Sequence, residues 1–107
     1  MNPVLGRTAP FIGGIFLDTG FLKFDGPRFD GLFREAGSSI DILALFSKCP
    51  GAGHLTPFIK ALQAEYPMVR FYEVGNRQLE RYLLAHGFEP FDELGTRGPN
   101  LQWTRAT

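Results

Sequence analysis

The chain has 107 residues, enough for one domain with a modest core. The apolar share of 44% is ordinary, while the aromatic share of 14%, with 11 phenylalanines, is high. Eleven basic residues balance eleven acidic ones and there is a single cysteine, so neither a basic footprint for nucleic acid nor an intrachain disulfide framework organises the chain.

The lone cysteine makes a reducing compartment, the cytoplasm, the default location. No window approaches the roughly 18 apolar residues of a membrane helix. The start has no basic region leading into an apolar run. Neither a membrane span nor a signal peptide is expected.

Met1 to Pro10 reads as an N-terminal surface arm. Phe11 to Leu17 reads as a buried strand, weakened or bulged at Gly13-Gly14. Asp18-Thr19-Gly20 is a hairpin signal, with Phe21 to Phe24 as the return strand. Two Phe-Asp-Gly triplets, Phe24 to Gly26 and Phe29 to Gly31, read as turns around Pro27. Gly31 to Ala36 fits either a short strand or a helical turn.

Ser38 to Ser47 is the clearest strand. Ile40, Ile42, Ala44 and Phe46 share one face, and Asp41, Leu43 and Leu45 the other. Apolar residues on both faces predict a central strand covered on both sides. Asp41 is the odd residue. It reads as a strand-end carboxylate in reach of water, or as a general base for an amine acceptor.

A tight turn, Lys48-Cys49-Pro50-Gly51-Ala52-Gly53, leads into a helix with Leu55, Phe58, Ile59, Leu62 and Tyr66 on one stripe. Thr56-Pro57 reads as its N-cap and first helical residue, and Pro67 ends it. Met68 to Val74 is another buried strand. Two strands joined through a helix imply a parallel pair with a right-handed crossover. Asn76 caps a second helix, whose inner stripe is Leu79, Tyr82, Leu83 and His86. Gly87 supplies a left-handed C-cap, with Phe88 folding back on Leu83. Phe91 to Leu94 and Leu101 to Thr104, around a turn at Gly95 to Pro99, read as a terminal β-hairpin. The fold class is a mixed-sheet α/β (α+β) fold.

A strand feeding a glycine turn and then a helix leaves unpaired N–H groups at the positive end of the helix dipole, which suits an anion. The pattern Lys48-x-x-Gly51-x-Gly53 is neither a P-loop nor the dinucleotide fingerprint. It resembles the acetyl-CoA loop of the GNAT N-acetyltransferases, Gln/Arg-x-x-Gly-x-Gly/Ala, with Lys in the first place. Asn76 followed by Gly87-Phe88 resembles that family's next motif. The resemblance implies a GNAT-like mixed sheet with a Gly-loop helix, a second helix and a C-terminal hairpin, as one truncated domain over residues 1–107. Its cofactor would be acetyl-CoA or coenzyme A. Backbone groups from Leu43 to Leu45 would hold the pantetheine arm as if it were a strand. The N–H groups of Gly51, Ala52, Gly53 and His54 would hold the pyrophosphate, with Lys48 as an added cation and Asn76 opening the second helix beside them.

The departures point elsewhere. The family's first strand and two helices, which wall the acceptor pocket, have no counterpart in the sequence. The family's acid, a tyrosine, falls on Leu83. Tyr82 is adjacent, but one helical step turns a side chain by about 100°, so it reads as partly buried packing. His86 reads as a complement to the helix dipole, and Cys49 as an ordinary loop cysteine. No residue cluster has metal spacing, and no catalytic acid or base is apparent. Residues 74–102 also resemble small GNAT-like proteins encoded among the virion genes of short-tailed bacteriophages. Two functions are expected from this. One is a degenerate GNAT-fold module with a binding or assembly role, with a protein partner or a second copy, in the cytoplasm or a virion. The other is a minimal acetyl-CoA-dependent N-acetyltransferase acting on an amine.

Overall fold

The structure is a computed structural model and describes residues 5–10 and 21–106. The strand expected over Phe11 to Leu17 and the turn at Asp18 to Gly20 lie outside the described residues. The elements are β1 (Arg7–Pro10), β2 (Leu22–Asp25), β3 (Phe29–Ala36), β4 (Ser39–Ser47), α1 (Leu55–Glu65), β5 (Met68–Phe71), α2 (Arg77–Ala85), β6 (Glu89–Phe91) and β7 (Asn100–Thr104). They form one mixed sheet in the order β1-β2-β3-β4-β5-β7-β6. β4 and β5 are parallel, and every other neighbouring pair is antiparallel. No helix among the described residues is long and apolar enough to cross a membrane.

β6 runs parallel to β5, with antiparallel β7 between them. The units β4-α1-β5 and β5-α2-β6 therefore advance in the same direction across the sheet. Right-handed crossovers then lay both helices on one face. The buried layer under them is rich in phenylalanine. Phe58 of α1 stacks near Phe24 and Phe29, at ring-centroid distances of 6.2 and 4.7 Å, and Phe88 meets Phe71 edge-on at 5.7 Å. Ile40, Ile42, Leu62, Val69, Leu83 and Leu101 complete it.

Several sequence expectations change. Arg7 to Pro10 is no arm but a strand paired with β2. The second Phe-Asp-Gly triplet lies inside β3, so Gly31 to Ala36 is strand. Phe29 and Phe33 point into the core and Gly31 sits between them, where a Cβ would lie 2.0 Å from the Ala44 carbonyl oxygen. That close approach belongs to a β-bulge. Leu32 pairs with Ala44 but Phe33 with Ile42, so Leu43 has no opposite number on β3. The extra residue inverts the alternation beyond it. Leu45 therefore follows Ile42 toward the core, and Phe46, expected on the Ile40 face, is 63% exposed.

The α1 stripe of Phe58, Ile59 and Leu62 is buried as its spacing predicts. Its start differs. Helical geometry begins at Leu55, directly after the turn, with His54 as an N-cap that makes no side-chain capping bond. Thr56 and Pro57 are the second and third helical residues. Proline is tolerated there because first-turn N–H groups have no intrahelical acceptor. β5 stops at Phe71, short of Val74, because Glu73 takes φ 50° and turns the chain away. Asn76 caps α2 as expected: its Oδ1 accepts from the N–H groups of Gln78 at 2.8 Å and Leu79 at 3.1 Å. Gly87 takes φ 89°, and the Phe88 N–H donates to the Leu83 carbonyl at 3.0 Å. His86 leaves the inner stripe and is exposed.

Candidate functional site

The parallel pairing of β4 and β5 covers only Ser39 to Ile42 against Met68 to Phe71. Its last bond runs from the Tyr72 N–H to the Ile42 carbonyl, at 2.9 Å. Beyond it β4 continues to Ser47 while the other chain turns toward α2. The two strands thus splay at their C-terminal ends, as the family resemblance implies, and a cleft of about 530 Å³ opens there. Its floor is Leu45, Phe46 and Ser47 of β4, with Phe29 beside them. The glycine turn and the starts of α1 and α2 close the other sides.

Leu45, Gly51, Ala52, Gly53, His54 and Asn76, named from the sequence, all line this cleft. Gly51 and Gly53 take φ 80° and 76°, conformations that make the turn possible and that L side chains rarely adopt. The N–H of Ala52, expected at a pyrophosphate, instead donates within the turn to the Cys49 carbonyl at 3.3 Å. Asn76 reaches the cleft at the mouth of α2, but its side-chain oxygen is engaged by its own helix.

Two of the named residues are not brought to the site. Leu43 sits at the bulge and is not part of the cleft wall. Lys48, expected as an added cation, turns away. Its Nζ forms an ion pair with Asp25 and donates to the Gly26 carbonyl at 2.7 Å. The Lys48 N–H is also bonded, to the Arg28 carbonyl at 2.9 Å, which ties the end of β4 to the β2–β3 turn and aims the side chain there. The hydrogen bond and the charge of Lys48 hold the Asp25 carboxyl below its ordinary range.

Asp41 fits neither of its sequence readings. It is fully buried, with no surface of its own open to water. Arg70 approaches it at 2.7 Å through Nε and 3.2 Å through Nη2, and Arg34 at 2.9 Å through Nη2. Burial opposes the charge on Arg70, but the hydrogen bond and field of Asp41 outweigh it and raise the Arg70 pKa. A carboxylate committed to two guanidinium groups has no free lone pair for an amine proton. Its role is to join β3, β4 and β5 on the face away from the helices.

Leu83 is fully buried and so has no access to the cleft. Tyr82 does reach the wall, and its hydroxyl bridges to the Thr56 hydroxyl at 2.7 Å, tying the second half of α2 to the start of α1. Its ring stacks on His86 at 4.0 Å, and His86 Nδ1 lies 2.7 Å from the Tyr82 carbonyl oxygen, a helix-end contact. Sequence reasoning missed Phe29, Leu55 and Leu79 as cleft residues. The period-two spacing of Phe29, Gly31 and Phe33 was the available signal for the first. Leu79 and Tyr82 were visible only as a helix stripe.

Coenzyme A fits these residues in part. The open half of β4 suits an extended amide-bearing arm. The diphosphate, however, meets no lysine or arginine, because no charged side chain is among the lining residues. Among the described residues there is also no group of three or more His, Cys, Asp or Glu gathered for a metal ion. Compared with known proteins, the chain matches no family model, no curated protein and no solved structure.

Proposed function

We propose that this chain is a degenerate GNAT-fold module with a binding or assembly role, exercised with a protein partner or a second copy. The resemblance of residues 74–102 to phage proteins favours a virion as its setting, over the cytoplasm. The observation that carries the reading is the state of the cleft: it has an open strand and a glycine turn, but no Asp, Glu, Lys or Arg lines it, and the Tyr82 hydroxyl on its wall is engaged by Thr56. The residue at the family's acid position, Leu83, is fully buried, and the strand carboxylate singled out from the sequence, Asp41, is consumed by Arg34 and Arg70. Proton delivery to a departing thiolate is among the larger contributions to acyl transfer.

A second reading is a minimal acetyl-CoA-dependent N-acetyltransferase. The Tyr82 hydroxyl at the cleft wall favours it. Calorimetric titration with acetyl-CoA separates the two. The module reading expects weak binding or none, and no acetylation of a polyamine or peptide. It also expects Leu83→Tyr to create no activity. Tight binding that Gly51→Asp abolishes, with turnover on the order of 1 per second or faster, puts the acetyltransferase first.

A further inference from the structure

We propose that the cleft receives an extended, uncharged peptide segment of a partner protein, which pairs with Leu43–Ser47 of β4 as an added strand. This rests on the binding-module reading and names the class of ligand. The first observation is the half-empty ladder of β4. Ile42 turns its carbonyl to β5, where Tyr72 donates to it. Antiparallel pairing with β3 continues past the bulge at Ala44, Leu45, Phe46 and Ser47. Alternation in such a ladder turns the N–H and C=O of Ala44 and Phe46 toward β3 and those of Leu45 and Ser47 toward the side β5 has left. Each of those two residues brings one donor and one acceptor to the cleft floor. A strand edge of this kind is a template for β-augmentation.

The walls say what kind of strand fits. Phe29, Leu45, Leu55, Leu79 and Tyr82 offer apolar surface to alternate side chains of an incoming segment. None of the cleft residues is Lys, Arg, Asp or Glu, and Lys48, next to Ser47 in the chain, is held outside by Asp25. A charged ligand entering here would lose hydration with no opposite charge to replace it. A peptide backbone with neutral side chains loses little, because its amides exchange water for the amides of β4. The open half from Leu43 to Ser47 is about 17 Å long at the rise of a strand, enough for four or five residues of ligand.

The test is amide NMR on the full chain, titrated with a pool of N-acetylated, C-amidated hexapeptides built from Ala, Val, Leu, Phe, Thr and Ser. Binding should slow hydrogen exchange at Leu45 and Ser47, with no change at Ile40 or Ile42, which are already paired. Leu79→Lys, a change at a half-buried wall residue outside the ladder, should weaken binding of the selected peptide by about tenfold or more, because the neutral wall becomes charged, while unchanged exchange at Ile40 and Ile42 shows that the fold is kept. Absence of binding from the whole pool overturns the proposal, as does binding that leaves Leu45 and Ser47 unprotected. Equal binding of peptides carrying Lys or Glu overturns the neutral-ligand assignment. If the pool fails and acetyl-CoA fails too, the peptide proposal falls while the module reading stands. If acetyl-CoA binds and is turned over, both fall.

Discussion

The two halves of β4 lead opposite lives. From Ser39 to Ile42 the strand is paired on both edges, and every residue is buried. Beyond Leu43 it keeps only β3, and burial fades until Phe46 and Ser47 are exposed. One residue marks the change. The Leu43 bulge shifts the strand's alternation where β5 ends, and the glycine turn then carries the chain off the sheet. The sealed half is held by interactions in low dielectric, where partners matter in full. The open half is held by β3 alone and leaves its other edge to water or a ligand. A strand can thus be a structural element at one end and a binding surface at the other, with a single inserted residue between the two.

The largest expected effect comes from breaking the sealed half. Asp41→Ala strands two cations against a buried strand. Breaking a buried pair costs about 3–5 kcal/mol. The low end is expected here, since the side chains of Arg34 and Arg70 are 34% and 22% exposed and can recover some hydration. Chemical denaturation of the variant measures this; a change below about 1 kcal/mol would mean that the cluster does not hold the strands together.

A smaller effect concerns pH at the same end. Burial, and then the negative field of Glu35 and Glu65, push the Tyr66 hydroxyl up from 10.0 to about 12. A raised folded pKa means that the neutral phenol is favoured in the fold. The stability it contributes is complete below pH 10.0 and drains away as pH rises toward about 12. The loss across that window is on the order of 2 kcal/mol. Tyr66→Phe should flatten the alkaline fall in unfolding midpoint, though not abolish it, because burial also raises Tyr72. An unchanged alkaline slope in the variant would assign the fall to other groups.

The smallest effect sharpens the contrast from the open side. Phe46→Ser removes a large ring that is 63% exposed. It should shift stability by no more than about 0.5 kcal/mol, as surface changes do. A loss as large as that of Asp41→Ala would show that the open half is covered after all.

Much of this was legible in the chain itself. The α1 stripe, the Asn76 cap and the Gly87-Phe88 stop depend on contacts within a few residues or on one amphipathic face, so local pattern specifies them; the closing hairpin forms too, but its first arm is Glu89–Phe91, not Phe91 to Leu94. The parallel pairing of β4 with β5 followed from a strand, a helix and a strand in order. Six of the eight candidate site residues gathered at one cleft for the same reason: they lie on a turn and two helix or strand ends that this connection must bring together.

Tertiary structure decided the rest. The Leu43 bulge depends on Gly31 across the ladder, so alternation read along β4 alone misplaced Phe46. Arg7 to Pro10 became a strand because β2 offered an edge to pair with. Asp41 became a clasp and Lys48 left the cleft because each found a partner distant in sequence: Arg34 and Arg70 for one, Asp25 and Gly26 for the other. A charge goes to the nearest group that compensates its lost hydration, and which group is nearest is fixed only once the strands are side by side.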